Sequence, residues 1–314
     1  MIKLEKIPFE ETKNFSKEFL RHVNSEKINL KNIYLKTKEI SYVEKKRKVL
    51  QKSLVKQYEK INCSTKVVEN INQLKNKNTF TVTTGHQLNI FTGPLYVIYK
   101  IISTINLASE LKKKYPKKNF VPIYWMASED HDFDEIKSFY LYGKNYSWDI
   151  KTSGAVGDIN PKTIKNIFKN IPEKISLFEK AYLKNSKLSN SVLYYMNEIF
   201  GKYGLIILDP NNRNYKKLFS EVIQDDIINN SIKNLQSKSS RKNLVYIRKI
   251  NFFYLKKNLR ERIIKEKNKY KINNTSISFS EKEIINKLNS NSEFFSPNVI
   301  MRCLYQQSII PNIA

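Results

Sequence analysis

The chain has 314 residues, with 56 Lys and Arg against 29 Asp and Glu, for a formal net charge of +27. That length allows one large domain or one domain with insertions, and no apolar run reaches the ~20 residues needed to span a bilayer. The opening MIKLEKIPFEETKNF lacks the apolar region of a signal peptide. Cys63 and Cys303 stand far apart and outside metal-like spacing, which fits a reducing compartment without a disulfide framework. The expectation is a cytoplasmic chain. The charge invites a nucleic-acid reading, but only eight of the basic residues are Arg, the side chain that reads phosphates and guanines bidentately. The lysines are also spread rather than striped. A lysine-biased composition is the preferred account, with a positive field that draws anionic ligands.

Residues 1–75 read as a helical segment packing on the core, with helices over Glu10–Val23 and Lys38–Ile61. Tyr42, Val43, Leu50, Leu54 and Tyr58 are placed to share a face, and His22 reads as a surface or interfacial residue. From 76 onward the pattern is α/β. Phe80–Thr84 is a strand stopping at Gly85. Gly93-Pro94 opens a helix with Pro in its first turn, and Leu95, Ile98, Ile102 and Ile105 recur at helical spacing. The helix breaks at Tyr115-Pro116, and Val121–Ala127 is the next strand. This β-α-β order predicts a doubly wound parallel core. A small inserted β element is expected near 140–170, then helices over Ile164–Ala181 and Ser189–Phe200. Leu205–Leu208 is an apolar run suited to a strand buried on both faces, with a helix over Tyr215–Ile232 after it. A second insertion is expected near 240–295, with strands in Leu244–Leu255, a hairpin in Glu261–Asn273 and a helix capped at Ser280. Val299 onward is a final apolar segment.

Polar residues gather at the three strand ends, where open α/β sheets place their ligands. At the first, Gly85 permits a positive φ and close approach of a ligand. His86 and Gln87 come next, and a histidine beside a helix start suits a phosphate or an oxyanion. Thr92 and Gly93 offer hydroxyl and N–H groups to the same ligand. At the second, Glu129, Asp130, His131, Asp132, Asp134 and Glu135 crowd five carboxylates and a histidine into seven residues, which requires compensation by water, cations or a ligand. Three roles stay open for this cluster: a divalent metal site, a hold on substrate ammonium or hydroxyl groups, and a general base. At the third, Asp209 and Asn211 suit sugar hydroxyls. Arg302 and Gln306, four apart, share a face if their segment is helical. Cys303, with no base nearby in sequence, reads as structural. There is no Walker A sequence, GxGxxG, HExxH or CxxC pair.

The blocks TGHQLNIFTGPLYVIYKIISTI, PIYWMASEDHDFDEI, GLIILDPNN and SPNVIMRCLYQQSIIPNIA together resemble the BshC family of cysteine-adding enzymes of bacillithiol biosynthesis. The resemblance implies a Rossmann-like core similar to class I aminoacyl-tRNA synthetases and nucleotidylyltransferases. It implies a ligase that joins L-cysteine to glucosaminyl-malate, with ATP or another nucleotide and Mg²⁺ as expected co-reactants. In that light His86 and the Gly93-Pro94 helix start face nucleotide or carboxylate oxygens, and Asp130, His131 and Asp132 hold or deprotonate an amine. Gly85-His86 would be the counterpart of the HIGH tetrapeptide of class I synthetases, which is absent. The resemblance also implies a homodimer built on a coiled coil beyond the segment matched by PNIA. The chain is thus expected to be an incomplete core with an unpaired sheet edge, inactive or poorly folded alone unless the remainder is supplied. The rival expectations are a basic nucleic-acid-binding protein and a nucleotidyl-transfer enzyme with another substrate.

Overall fold

The structure is a computed structural model that describes residues 29–237 and 246–314, together with Glu11 and Leu20. The Glu10–Val23 helix (apart from Glu11 and Leu20), His22 and Leu244 lie outside the described residues. The chain divides into two units, residues 1–41 with Ile313 and residues 42–312 with Ala314. In the first, helix α1 (Leu30–Glu39) is capped by Asn29, whose Oδ1 accepts the Asn32 N–H at 3.0 Å.

The second unit begins ahead of helix α2 (Glu44–Tyr58). Leu50, Leu54 and Tyr58 are buried along it as their spacing predicts, but Val43 is exposed and Arg47 takes a buried place. Its Nη1 donates to the Leu74 and Thr79 carbonyls and its Nη2 to that of Lys77, at 2.9–3.3 Å. It thereby fixes the turn that leads into strand β1 (Thr79–His86).

Strand β1 crosses through helix α3 (Leu95–Lys114) to strand β2 (Asn119–Met126), and the two pair in parallel from Thr79↔Asn119 to His86↔Met126. Pro94 sits at the N-cap of α3 rather than in its first turn. The buried stripe of α3 is Val97, Ile101, Ala108 and Leu111, whereas Leu95 and Ile102 are exposed. The apolar residues of this helix wrap more than one face, so spacing alone picked the wrong stripe. Next comes a hairpin, β3 (Ser138–Leu141) with β4 (Lys144–Ser147). Its two-residue turn, Tyr142-Gly143, has φ of 51° and 76°, as primed hairpin turns require. The helix expected over Ile164–Ala181 is interrupted: one turn spans Lys165–Phe168, and a separate helix starts at Ser176 after Pro172. Helix α4 (Leu188–Phe200) leads to strand β5 (Ile206–Leu208), which pairs in parallel with β2.

The parallel sheet thus runs β1-β2-β5, and β2 is buried along nearly its whole length, as a central parallel strand must be. The edges are not left open. Beyond β1, the Thr81 and Thr83 N–H groups donate to the carbonyls of Pro311 and Ala314 at 2.9 and 2.7 Å. Beyond β5, Ile207 N–H donates to Tyr58 Oη at 2.7 Å and its carbonyl accepts from Gln57 Nε2 at 2.7 Å. Side chains of α2 therefore stand in for a neighbouring strand. β1 pairs with β2 on one side and makes a single parallel bridge to Asn312 on the other, and its carboxyl end lies where open α/β sheets bind ligands.

The second insertion is an antiparallel sheet in the order β10-β6-β7-β8-β9, with β6 (Phe252–Lys256), β7 (Leu259–Glu266), β8 (Lys269–Ile272), β9 (Ser278–Phe279) and β10 (Phe295–Pro297). Between β9 and β10, helix α5 (Glu281–Ser290) carries the predicted capping box of Ser280 and Glu283. Helix α6 (Val299–Ile309) returns the chain to the parallel sheet. Among the described residues, no helix is long and apolar enough to cross a membrane.

The two faces of α3 give a direct test. Ile101 is fully buried and Ile102 is 41% exposed. In urea unfolding, Ile101→Ala should cost about 2–5 kcal/mol and Ile102→Ala less than about 1 kcal/mol.

Candidate active site

The ends of β1 and β2 open into a cavity of about 400 Å³. Gly85, His86 and Gln87 reach it from β1, Trp125 and Ala127 from β2, and Tyr96 from the first turn of α3. Helix α6 contributes Arg302, Cys303 and Gln306. The Ala127 N–H closes the strand ends by donating to the His86 carbonyl at 3.0 Å. His86 carries the clearest electrostatic signature. Burial, aided by the nearby Lys100 ammonium, lowers its pKa to about 4, so the imidazole is neutral at pH 7. Its Nε2 is buried without a hydrogen-bond partner, and its ring lies 5.0 Å from that of Tyr96. Lys100 is held in place by donating to the Gly85 carbonyl at 2.6 Å.

A second cavity, of about 720 Å³, adjoins the first and shares His86, Tyr96 and Glu135 with it. It lies between the loop before α3, the β3–β4 hairpin and residues 171–178. That loop holds three successive residues at positive φ, Phe91, Thr92 and Gly93 at 51°, 72° and 71°. At Gly93 a Cβ would come within 2.6 Å of the Asn89 Cβ, so only glycine fits. Gly85, by contrast, is not among the positive-φ residues. The backbone freedom expected at the strand end is used further along, at Phe91 to Gly93, where the loop folds back. The Gly93 N–H donates to the Ile90 carbonyl at 3.1 Å, which commits it inside the loop.

The acidic loop is compensated by the protein itself, one residue at a time. Glu129 is buried against the fully buried Lys216 ammonium, which also donates to the Phe295 carbonyl at 2.7 Å. Burial lowers the Lys216 pKa and the Glu129 charge opposes that shift. Asp130 accepts from Gln87 Nε2 at 2.8 Å and from the His131 N–H at 2.7 Å, and lies 3.6 Å from Arg302. Burial alone would raise its pKa. The hydrogen bonds from His131 and Gln87, with the charge of Arg260, outweigh burial and hold the carboxyl well below the usual range. His131 Nδ1 is 2.8 Å from the guanidinium of Arg260 on β7, which stacks 3.9 Å over Phe253. Asp132 caps the one-turn helix Phe133–Ile136, and Asp134 pairs with Lys137 at 2.6 Å. The backbone is pinned as well: Val156 and Gly157 N–H groups donate to the carbonyls of Asp130 and Ser128 at 2.6 and 2.8 Å. Among the described residues no three His, Cys, Asp or Glu side chains converge on a metal position.

Of the residues singled out in the sequence, Gly85, His86, Gln87, Arg302 and Gln306 come together around the first cavity. Gly93 lines the second, and Asp130 stands behind both Gln87 and Arg302. Thr92, His131, Asp132 and Asp134 line neither. Asp209 is turned inward, its Oδ1 accepting from Ser128 Oγ at 2.5 Å and from the Asn211 N–H at 2.9 Å, and neither it nor Asn211 reaches a cavity. Cys303, expected to be structural, is exposed at the first cavity. Sequence reasoning missed Tyr96, Lys100, Lys216 and Arg260. The last three are single cations in a chain of 56, with no local pattern to mark them.

This electrostatics can be measured in two ways. Removing one partner of a buried pair is costly, so Glu129→Gln should lower stability by about 3–5 kcal/mol, with part of the loss recovered in Glu129→Gln/Lys216→Met. For His86, the folded pKa of about 4 lies below the ordinary 6.5. Stability from its neutral form is therefore complete above pH 6.5 and lost as pH falls from 6.5 to 4. Between pH 7 and 4, His86→Gln should lose less thermal stability than the native chain. The Asp130 contribution is lost only below its ordinary value of 3.8, in a separate window.

The family described as "Bacillithiol biosynthesis BshC, N-terminal Rossmann-like domain" matches residues 2–314. A Flavobacterium psychrophilum protein named "Putative cysteine ligase BshC" is 50% identical over a region covering 86% of this chain and 54% of that protein. Proteins of the same name from Christiangramia forsetii and Cytophaga hutchinsonii are 42% and 35% identical, over 98% and 99% of this chain and 63% of each relative. The chain spans between about half and two thirds of the length of these curated relatives. On the match across 2–314, the chain belongs to the BshC family of bacillithiol biosynthesis and corresponds to its N-terminal Rossmann-like domain.

Proposed function

We propose that this chain carries the core of a carbon–nitrogen ligase that joins the carboxyl group of L-cysteine to the amine of glucosaminyl-malate, forming bacillithiol. One observation carries the reading: two cavities meet along a wall of His86, Tyr96 and Glu135 at the ends of β1 and β2. Amide formation needs two reactants held together, with the amine freed of its proton. In the first cavity, Arg302 and Gln306 offer a cation and an amide donor to a carboxylate. At the shared wall, Glu135 suits the ammonium form of the incoming amine. The neutral His86, whose depressed pKa disfavours holding a proton, suits a hydrogen bond to the attacking amine at the same wall.

A free carboxylate is a poor acyl donor, so it must be activated, and ATP with Mg²⁺ is the proposed co-substrate. Transfer of its phosphoryl or adenylyl group to the cysteine carboxyl oxygen lets that oxygen leave as phosphate or AMP when the amine attacks. Arg302 and Lys100 are the side chains that would meet the phosphates.

The test is mass spectrometry of the purified chain with L-cysteine, glucosaminyl-malate, ATP and Mg²⁺, alone and with the remaining region of a full-length relative added. Amide product is expected in at least the second mixture. His86→Ala, with folding intact, should lower kcat/KM by about 10²–10⁴-fold. Absence of product from both mixtures, beside an active full-length relative, would overturn the reading.

A further inference from the structure

Only eight Arg stand among the 56 basic residues, so the positions given to Arg mark where a planar, forked cation is needed rather than charge alone. Most of the described ones are committed within the fold. Arg47 serves carbonyls, Arg213 pairs with Glu293, Arg260 reaches His131 and Ser296, and Arg302 faces Asp130. Arg248 and Arg262 differ. Both are exposed, and both line a groove of about 280 Å³ on the inserted sheet. Four of the nine residues lining it are Lys or Arg and none is Asp or Glu, against 56 cations in 314 residues overall. Lys265 pairs with Glu281 at 3.6 Å. Arg248, Lys249 and Arg262 enter no ion pair among the described residues. The groove shares no residue with either cavity at the strand ends.

The groove is built on a fixed backbone. Asp226, fully buried, accepts from the Asn251 N–H at 2.6 Å and from Asn251 Nδ2 at 3.0 Å. The Asn251 side chain in turn grips Arg248: its Oδ1 accepts the Arg248 N–H at 3.2 Å, and its Nδ2 donates to the Arg248 carbonyl at 3.0 Å. The Arg248 guanidinium lies 5.3 Å from the centre of the Tyr246 ring. Arg262 is pinned separately, its carbonyl accepting the Asn273 N–H at 2.9 Å. Two forked cations are thus held in place before any ligand arrives, which lowers the ordering cost of binding.

We propose that this groove binds a compact polyphosphate, several phosphate groups on one short chain. Each guanidinium fork matches two phosphate oxygens, while Lys249 and Lys265 add point charges. Four cations with no carboxylate among them call for an anion that concentrates several charges in little space. The volume, close to the lower bound of small-ligand sites, suits such a chain better than a protein segment, which carries at most one charge per residue. A lysine-biased composition alone does not account for the groove, because that bias supplies Lys, and the paired residues here are Arg. The site stands independently of the ligase reading.

The test is calorimetric titration of the whole chain with inorganic tripolyphosphate, with sulfate as the single-group control. Tripolyphosphate should bind at least about tenfold more tightly than sulfate. Arg248→Gln/Arg262→Gln should weaken it about tenfold or more, as loss of hydrogen bonds between charged groups implies, and should leave thermal unfolding unchanged. Arg248→Lys/Arg262→Lys keeps the charge but loses the fork, and should fall between the two. Lys52→Gln/Lys56→Gln removes equal charge from exposed positions on α2 and should have little effect. Cytidine triphosphate distinguishes the sources of the chain: tighter binding than tripolyphosphate means that a nucleoside is read as well, and equal or weaker binding means a free chain. The proposal is overturned by tripolyphosphate binding that survives Arg248→Gln/Arg262→Gln, by an equal loss in Lys52→Gln/Lys56→Gln, or by full retention in the double Lys variant. It is overturned equally by an RNA oligonucleotide that depends on Arg248 and Arg262 where tripolyphosphate does not bind.

Discussion

The Lys216 ammonium is the interaction on which the rest of the site depends. It is fully buried, and it joins the Glu129 carboxylate, just past β2, to the Phe295 carbonyl at the start of β10. A charge in that position is tolerable only with both partners present. Its placement therefore fixes how the inserted antiparallel sheet sits against the acidic loop. Arg260 of β7 repeats the tie further along the loop, reaching His131 on one side and Ser296 and Pro297 on the other. From this anchored loop Asp130 reaches back to Gln87 and Arg302, two residues of the first cavity.

The effect is to sort charge. The excess of positive charge lies largely on the solvated surface, while the acidic side chains behind the site are matched to cations and hydrogen-bond donors. Along the wall where the cavities meet stand Glu135 and the uncharged His86. A group with a depressed pKa in a cleft is a physical marker of function. Here it sits at the strand ends where the topology of the sheet already directs a ligand. The first cavity sets the Arg302 cation beside the shared Glu135, whereas no Lys or Arg lines the second.

Much of this was legible in the sequence. The β-α-β order, the strand-end position of His86 and Gln87, and the shared face of Arg302 and Gln306 come from local periodicity, which a strand or helix obeys wherever it packs. The acidic cluster was correctly seen as needing compensation, but the compensating groups, Lys216 and Arg260, come from distant elements and leave no mark on a lysine-rich sequence. Asp209 shows the converse: a strand-end carboxylate looks like a ligand in sequence, and in the fold it accepts hydrogen bonds from Ser128 and its own turn. The stripe on α3 was misread because that helix is apolar on more than one side. An unpaired sheet edge was expected, and side-chain surrogates such as Gln57 and Tyr58, which cover the edge beyond β5, have no sequence signature.

The central claim is that two reactants meet at His86. A crystal structure of the chain with the cysteinyl amide product bound would test it most directly. The account predicts the new amide within hydrogen-bond reach of His86 Nε2 and the cysteine portion on the Arg302 side. Product bound elsewhere, such as the basic groove of Arg248 and Arg262 on the inserted sheet, would contradict it.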